Sequence, residues 1–66
     1  IMKIGDLVIM KTNPKAMGIV IGLYQDIYPK GLQGEDVFDM ATVLWNNGVL
    51  GGAEVSFEVK RLEVIG

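Results

Sequence analysis

The chain contains 66 residues, with six basic and eight acidic side chains for a net charge of −2, and it has neither cysteine nor histidine. A chain of this length buries only about 60% of the surface that its unfolded form exposes, so we expect one domain over residues 1–66 with a dense core. The missing residue types exclude disulfides, thiolate metal sites, cysteine nucleophiles and the commonest general base.

The first half of the chain predicts two strands and a loop. Residues 6–11 are mostly apolar with β-branched members, which indicates a strand, and an Asn-Pro pair favours a turn after it. Residues 18–27 predict a longer strand, in which Gly22 marks a bulge or a bend. Residues 28–36 combine one proline, two glycines and three charges without an apolar period, so we predict a surface loop there.

The second half predicts a hairpin followed by a short helical turn and a final strand. The ranges are 37–45 and 49–57 for the hairpin strands, 46–48 for their connection, 58–61 for the helical turn and 62–65 for the last strand. Asn-Asn-Gly in the connection tolerates the positive φ that a tight hairpin needs. Five short strands in so small a chain must close or pack on themselves, and an all-β, five-stranded small barrel fits best.

One face of each predicted strand is assigned to the core. These residues are Val8, Met10, Val20, Ala41, Val43, Trp45, Val55, Phe57, Leu62 and Val64. The opposite positions on three of the strands are also apolar, whereas a half-buried strand alternates apolar and polar residues. The opposite set consists of Leu7, Ile9, Ile19, Ile21, Met40 and Leu44. A contiguous exposed patch of this kind predicts an interaction surface and a homo-oligomer, with a different, unidentified protein partner as the competing explanation.

Four segments together resemble the SH3-like small β-barrels, in particular short versions found among tailed-phage and marine viral proteins. They are residues 3–8 (KIGDLV), 18–20 (GIV), 41–48 (ATVLWNNG) and 62–65 (LEVI), and they span almost the whole chain. The resemblance implies an SH3-like barrel of phage or viral origin, located in the host cytoplasm or in a virion. Its expected role is that of a noncatalytic protein-interaction or structural module.

Residues 5–8 (GDLV) and 18–20 also resemble the two ends of the KOW motif of ribosomal and transcription-factor domains. This second resemblance implies RNA or ribosome binding as the alternative function. The basic residues that would contribute to such a surface are Lys3, Lys11, Lys15, Lys60 and Arg61. Because acidic residues outnumber basic ones, we rank nucleic-acid binding below protein binding.

Neither a membrane span nor a secretory signal is predicted. No stretch reaches about 18 consecutive apolar residues, and the N-terminus lacks a basic region before an apolar segment. We therefore expect a soluble, cytoplasmic protein without a membrane partner.

An aromatic cage is the first candidate binding site. Tudor-type barrels of similar fold hold methylated lysine or arginine between aromatic rings and an acidic residue. The residues for such a cage here are Tyr24, Tyr28 and Trp45, with Asp26, Asp36 or Asp39 as the acid. Packing of Trp45 and Phe57 in the core is the favoured alternative, because a buried ring contributes about 1.5–3 kcal/mol.

Catalytic and metal sites are not expected. Glu35, Asp36 and Asp39 lie close in sequence but lack the alternate spacing around a glycine that calcium loops require, so we interpret them as a solvated acidic loop. Ser56 is the single serine, and no histidine can activate it. The sequence thus predicts a nonenzymatic protein without a metal or another cofactor.

Overall fold

The computed structural model of the chain describes residues 1–45 and 52–66. In this part the strands are β1 (Leu7–Met10), β2 (Asn13–Pro29), β3 (Glu35–Trp45), β4 (Glu54–Glu58) and β5 (Leu62–Val64). They form one antiparallel sheet in the order β4-β3-β2-β1-β5. Two 3-10 helices, Gly31–Gln33 and Val59–Arg61, connect β2 to β3 and β4 to β5. The all-β prediction and the helical turn before the last strand are therefore confirmed.

The surface loop predicted over residues 28–36 is wrong in its extent. β2 continues to Pro29 and β3 already begins at Glu35, so the connection spans only residues 30–34. The N–H of Lys30 donates to the carbonyl oxygen of Gly34 at 2.7 Å, and this closes the turn. Gly31 and Gly34 adopt φ of 65° and 98°, which other residues rarely take. The glycines that suggested a long loop instead form a compact one.

The start of β2 also differs from the prediction, because the strand begins at Asn13 and includes Pro14. The turn after β1 is correspondingly short, and the pairing register of β1 with β2 shifts between Ile9 and Met10. The bulge predicted near Gly22 is confirmed, since the register of β2 with β3 shifts between Val20 and Gly22. The predicted hairpin connection at 46–48 lies outside the described residues.

The core lies on one face of the sheet and is small. Its buried members are Val8, Ala16, Val20, Ala41, Val43, Trp45 and Leu62, with Met2, Met10, Val55, Phe57 and Val59 partly buried around them. Trp45 and Phe57 pack edge to face, with ring centroids 5.8 Å apart. Most of the predicted core is thus confirmed. Val64 is the exception, because it is 44% exposed near the end of the edge strand β5, and Ala16 is a core residue that the strand prediction missed.

Candidate interaction surface

A two-stranded arm projects beyond the region where all strands pair. We define the arm as residues 22–39, in which β2 and β3 pair with each other up to the pair Pro29–Glu35. The pairing of β1 with β2 reaches only to Ile19, and the pairing of β4 with β3 begins at Met40. Both backbone edges of the arm are therefore without a strand partner among the described residues. The chain measures 43 × 22 × 18 Å along its principal axes.

Both faces of the arm carry large apolar side chains. Because side chains alternate along a strand, Leu23, Ile27 and Val37 share one face, and Tyr24, Tyr28 and Phe38 share the other. Ile27 and Val37 are each 51% exposed, and Tyr28 is 55% exposed. Near the base of the arm, Leu23 lines a hollow of about 400 Å³ together with Ile1, Met2 and Val59 among others. Further out, Val37 and Phe38 line a second hollow, of about 390 Å³, with Glu58, Val59 and Lys60 among others.

The face with Tyr24, Tyr28 and Phe38, here called the aromatic face, also carries acidic groups. The Tyr28 and Phe38 rings meet edge to face, with centroids 5.6 Å apart. The Tyr28 hydroxyl donates to an oxygen of Asp26 at 3.3 Å, and the Lys30 ammonium lies 2.8 Å from Asp36. A hollow of about 210 Å³ on this face is lined by Asp26, Tyr28, Phe38, Met40 and Glu58.

Asp26 affects the titration of Tyr28. The negative charge of Asp26 disfavours the phenolate, and the hydrogen bond between the two groups favours the neutral hydroxyl. Both effects raise the pKa of Tyr28 above its ordinary value of 10.0, with smaller contributions from desolvation and from Tyr24. Tyr28 is therefore a hydrogen-bond donor on this face at neutral pH.

The second apolar surface lies on the side of the sheet that faces away from the core. Leu7 pairs with Ile19 and Ile19 with Leu44, so these three side chains form one row across β1, β2 and β3. Ile9 pairs with Met17 in the next row. We call these five residues the outer face. Ile19 and Leu44 are exposed and the other three are half-buried.

The outer face contains four of the six predicted interaction residues. The other two lie elsewhere: Ile21 is exposed at the bulge of β2, and Met40 pairs with Tyr24 next to the base of the arm. Met17 was not predicted, because the predicted second strand begins only at residue 18, whereas β2 begins at Asn13. The alternation of Met17, Ile19 and Ile21 along the chain is the signal that could have identified it.

The predicted aromatic cage does not come together in this fold. Trp45 is completely buried and lies on the core face of β3. Tyr24 pairs with Met40, which is five positions from Trp45 and therefore on the opposite face of the same strand. Tyr24 and Tyr28 are exposed on the arm, so the three residues do not line one pocket.

The polar side chains form no enclosed site within residues 1–45 and 52–66. No polar or charged residue is buried there, and no three acidic side chains are grouped so that they could hold a metal ion. The Ser56 side chain forms one hydrogen bond within these residues, with the Thr42 hydroxyl at 2.9 Å. The helices of this part are too short to cross a membrane.

No family model, curated protein or solved structure matches the chain.

Proposed function

We propose that this chain is a noncatalytic protein-interaction module, built on an SH3-like barrel, which binds through its arm and its outer face. The exposed apolar side chains on both faces of the arm are the observation that carries the proposal. A two-stranded ribbon is at best marginally stable in water, and exposed apolar patches in soluble proteins commonly mark interaction sites. A protein that covers the arm would bury these side chains and so stabilise the arm.

The barrel assignment is supported by the positions of the two edge strands. β4 and β5 lie at opposite ends of the strand order, yet the three residues Val59–Arg61 connect them. A connection this short requires the two edges to approach each other. The register shifts in β1 and β2 are the kind of irregularity that bends strands in small barrels. The phage or viral origin rests on the sequence resemblance alone.

The noncatalytic part of the proposal is supported by the environment of the acidic groups. General acid–base catalysis works best with a side chain whose pKa is shifted towards neutrality by burial or by a neighbouring charge. The described acidic residues are exposed or half-buried, and the charge of Asp26 moves the pKa of Tyr28 further from neutral pH.

Site-specific photo-crosslinking tests the proposal directly. We would replace Tyr24 on the arm with a benzophenone amino acid and irradiate the purified chain in cell extract. A matched variant carries the same group at Lys3, which lies outside the arm and the outer face. It measures the background of adducts that form by random collision. We expect discrete protein adducts from position 24, whether with a second copy or with another protein, and none from position 3. Equal, diffuse labelling from both positions would contradict the proposal.

RNA binding remains the alternative function, and one observation favours it. Lys11 and Arg61 are adjacent in space, since the Lys11 N–H donates to the Arg61 carbonyl oxygen at 3.0 Å, and both side chains are exposed. Fluorescence anisotropy with labelled RNA would detect binding, which should fall steeply as salt is raised if phosphates are contacted. Submicromolar, salt-sensitive RNA binding that is lost in Lys11→Glu would replace the proposed function with the alternative.

A further inference from the structure

The hollow of about 210 Å³ on the aromatic face combines two kinds of side chain. Two carboxylates, Asp26 and Glu58, line it together with the rings of Tyr28 and Phe38 and with Met40. The register explains why they meet, because Asp26 pairs with Phe38, and Met40, two positions along β3, pairs with Glu58 on β4. No basic side chain of the described residues lines this hollow.

Asp26 has no counter-ion of its own. It is half-buried, and among residues 1–45 and 52–66 no basic side chain forms an ion pair with it. Its hydrogen bond from the Tyr28 hydroxyl is long, at 3.3 Å, for an O–H donor. Lys30, the one basic residue of the arm, lies instead 2.8 Å from Asp36. A partly desolvated carboxylate is stabilised by a nearby positive charge, so the hollow favours a cation from outside the chain.

Glu58 is only weakly paired. Its oxygens lie 3.5 Å from Lys60 Nζ and 4.0 Å from Arg61 Nε, and these two basic side chains are 75% and 66% exposed. Exposed ion pairs of this kind contribute little, because water and salt screen them. A carboxylate also has about four acceptor positions. Glu58 can therefore accept a further hydrogen bond from a cation that lies between it and Asp26.

The aromatic rings and the separation of the carboxylates select the class of cation. Tyr28 remains 55% exposed beside Asp26, so part of its ring is open to a cation that stacks on it. Asp26 and Glu58 lie on strands at either side of β3, roughly 10 Å apart. A guanidinium is planar, stacks on rings and carries five N–H donors, so it can serve two separated carboxylates. A lysine ammonium is a compact point charge, and a quaternary ammonium has no N–H to donate.

We infer that this hollow binds the guanidinium of an arginine side chain that the partner protein presents. Asp26 accepts hydrogen bonds from one edge of the guanidinium, Glu58 accepts from the other, and the Tyr28 ring contacts its plane. The exposed ring of Tyr24 lies on the same face, so a protein that covers this face can insert the side chain. This inference rests on the proposed function, because it names the group by which the partner of the arm is recognised.

Titration of the isotope-labelled chain with N-acetyl-arginine amide tests the choice of cation. The ring resonances of Tyr28 and Phe38 report binding, which we expect in the millimolar range for a single capped amino acid. N-acetyl-citrulline amide has nearly the same shape without the charge, and its affinity should be at least about tenfold lower. N-acetyl-lysine amide has the charge without the planar group, and its affinity should be at least about threefold lower. Equal affinities for the arginine and the citrulline or lysine probe would overturn the inference.

Two variants locate the site. Asp26→Asn should weaken binding of the arginine probe at least about fivefold, because it removes the unpaired carboxylate. Glu35→Gln is the matched control, since it removes one negative charge from the arm at an exposed position that does not line the hollow, and it should leave the affinity unaltered. Circular dichroism confirms that both variants are folded. Unchanged binding in folded Asp26→Asn would place the probe elsewhere and overturn the inference.

The same two variants extend the test to the partner protein. Photo-crosslinking from position 24 in the Asp26→Asn chain should give at least about fivefold less protein adduct than in the Glu35→Gln chain. Equal yields in the two chains would show that the partner is held without this contact, which overturns the inference but leaves the proposed function in place. Absence of arm-specific adducts from the unaltered chain, in contrast, removes the proposed function itself.

Discussion

Gly18 lies where β2 and β3 approach each other in the core. A Cβ atom at this position would come within 2.5 Å of Val43 Cγ1 and 2.7 Å of the Leu44 carbonyl oxygen. The second contact involves backbone that pairs across the sheet, so a side-chain rotation cannot relieve it. Glycine is therefore required at position 18 because a side chain has no room there, and not because the backbone adopts a positive φ.

Gly18→Ala should destabilise the chain by about 1–3 kcal/mol, because an added methyl group in a tightly packed core forces the backbone apart. Gly22→Ala is the matched control on the same strand. Its Cβ would lie 3.6 Å from Thr42 Cβ, which is ordinary van der Waals contact, so we expect unchanged or slightly higher stability. Urea unfolding measures both variants, and equal midpoints for the two would contradict this account of Gly18.

The contact between Asp26 and Tyr28 predicts a measurable pH effect. The pKa of Tyr28 is raised above 10.0 in the folded chain, chiefly by the charge of Asp26. A group with a raised folded-state pKa stabilises the fold fully below its unfolded value and loses that contribution as pH rises through the folded value. We therefore expect the contact to act throughout the neutral range and to be lost only in alkali.

Asp26→Asn should lower the pKa of Tyr28 towards its ordinary value, since it removes the charge that disfavours the phenolate. The ring resonances of Tyr28 followed by NMR between neutral and alkaline pH measure the change. Glu63→Gln removes one negative charge from β5, outside the arm, and should leave the titration of Tyr28 unaltered. An equal shift in both variants would mean that net charge, and not the Asp26 contact, sets this pKa.

At the scale of the elements, much of the chain outside the arm, here called the body, could be predicted from the sequence because its residues follow simple rules. β1, the helical turn and β5 were predicted within two residues, since each is a short apolar or charged segment bounded by turn signals. The core residues of β3 follow from strict alternation at Ala41, Val43 and Trp45. The bulge near Gly22 follows from a glycine inside a strand.

The outer end of the arm could not be predicted by the same rules. Its tip contains proline, glycines and charges, which are typical of loops, and the strand ends at Pro29 and Glu35 carry weak β-propensity. What keeps them in strand conformation is pairing with each other across the arm, a nonlocal contact. The signal that was available is the aromatic and aliphatic residues on both sides of the turn, from Leu23 to Ile27 and from Val37 to Met40.

For a related reason, the sequence predicted that a candidate interaction surface exists but not which residues are neighbours on it. Apolar residues on both faces of a strand show that a second surface exists, but they do not show which of them are neighbours. Leu7, Ile19 and Leu44 became a row only through the register of three strands, and register depends on the bulge. Ile21 is the residue inserted at the bulge, between Val20 and Gly22, so it has no partner in the register of β2 with β3.

At the scale of the whole molecule, the buried core and the arm occupy different parts of the described chain. All seven buried core residues lie in the body, and none lies between positions 22 and 39. The arm adds ordered residues without adding core, and ordering a residue costs on the order of 1–2 kcal/mol of backbone entropy. This small contribution to burial is the reason why we propose an interaction role for the arm.

Removal of the outer arm should therefore leave a folded body. Gln25 and Asp39 face each other in the register, and the Gln25 amide donates to Asp39 at 3.1 Å, so an Asn-Gly pair can replace residues 26–38 as a two-residue hairpin turn. We expect the shortened chain to unfold cooperatively within a few degrees of the full-length monomer, measured for both at high salt and low concentration. A shortened chain that is unfolded would show instead that the arm holds the body together.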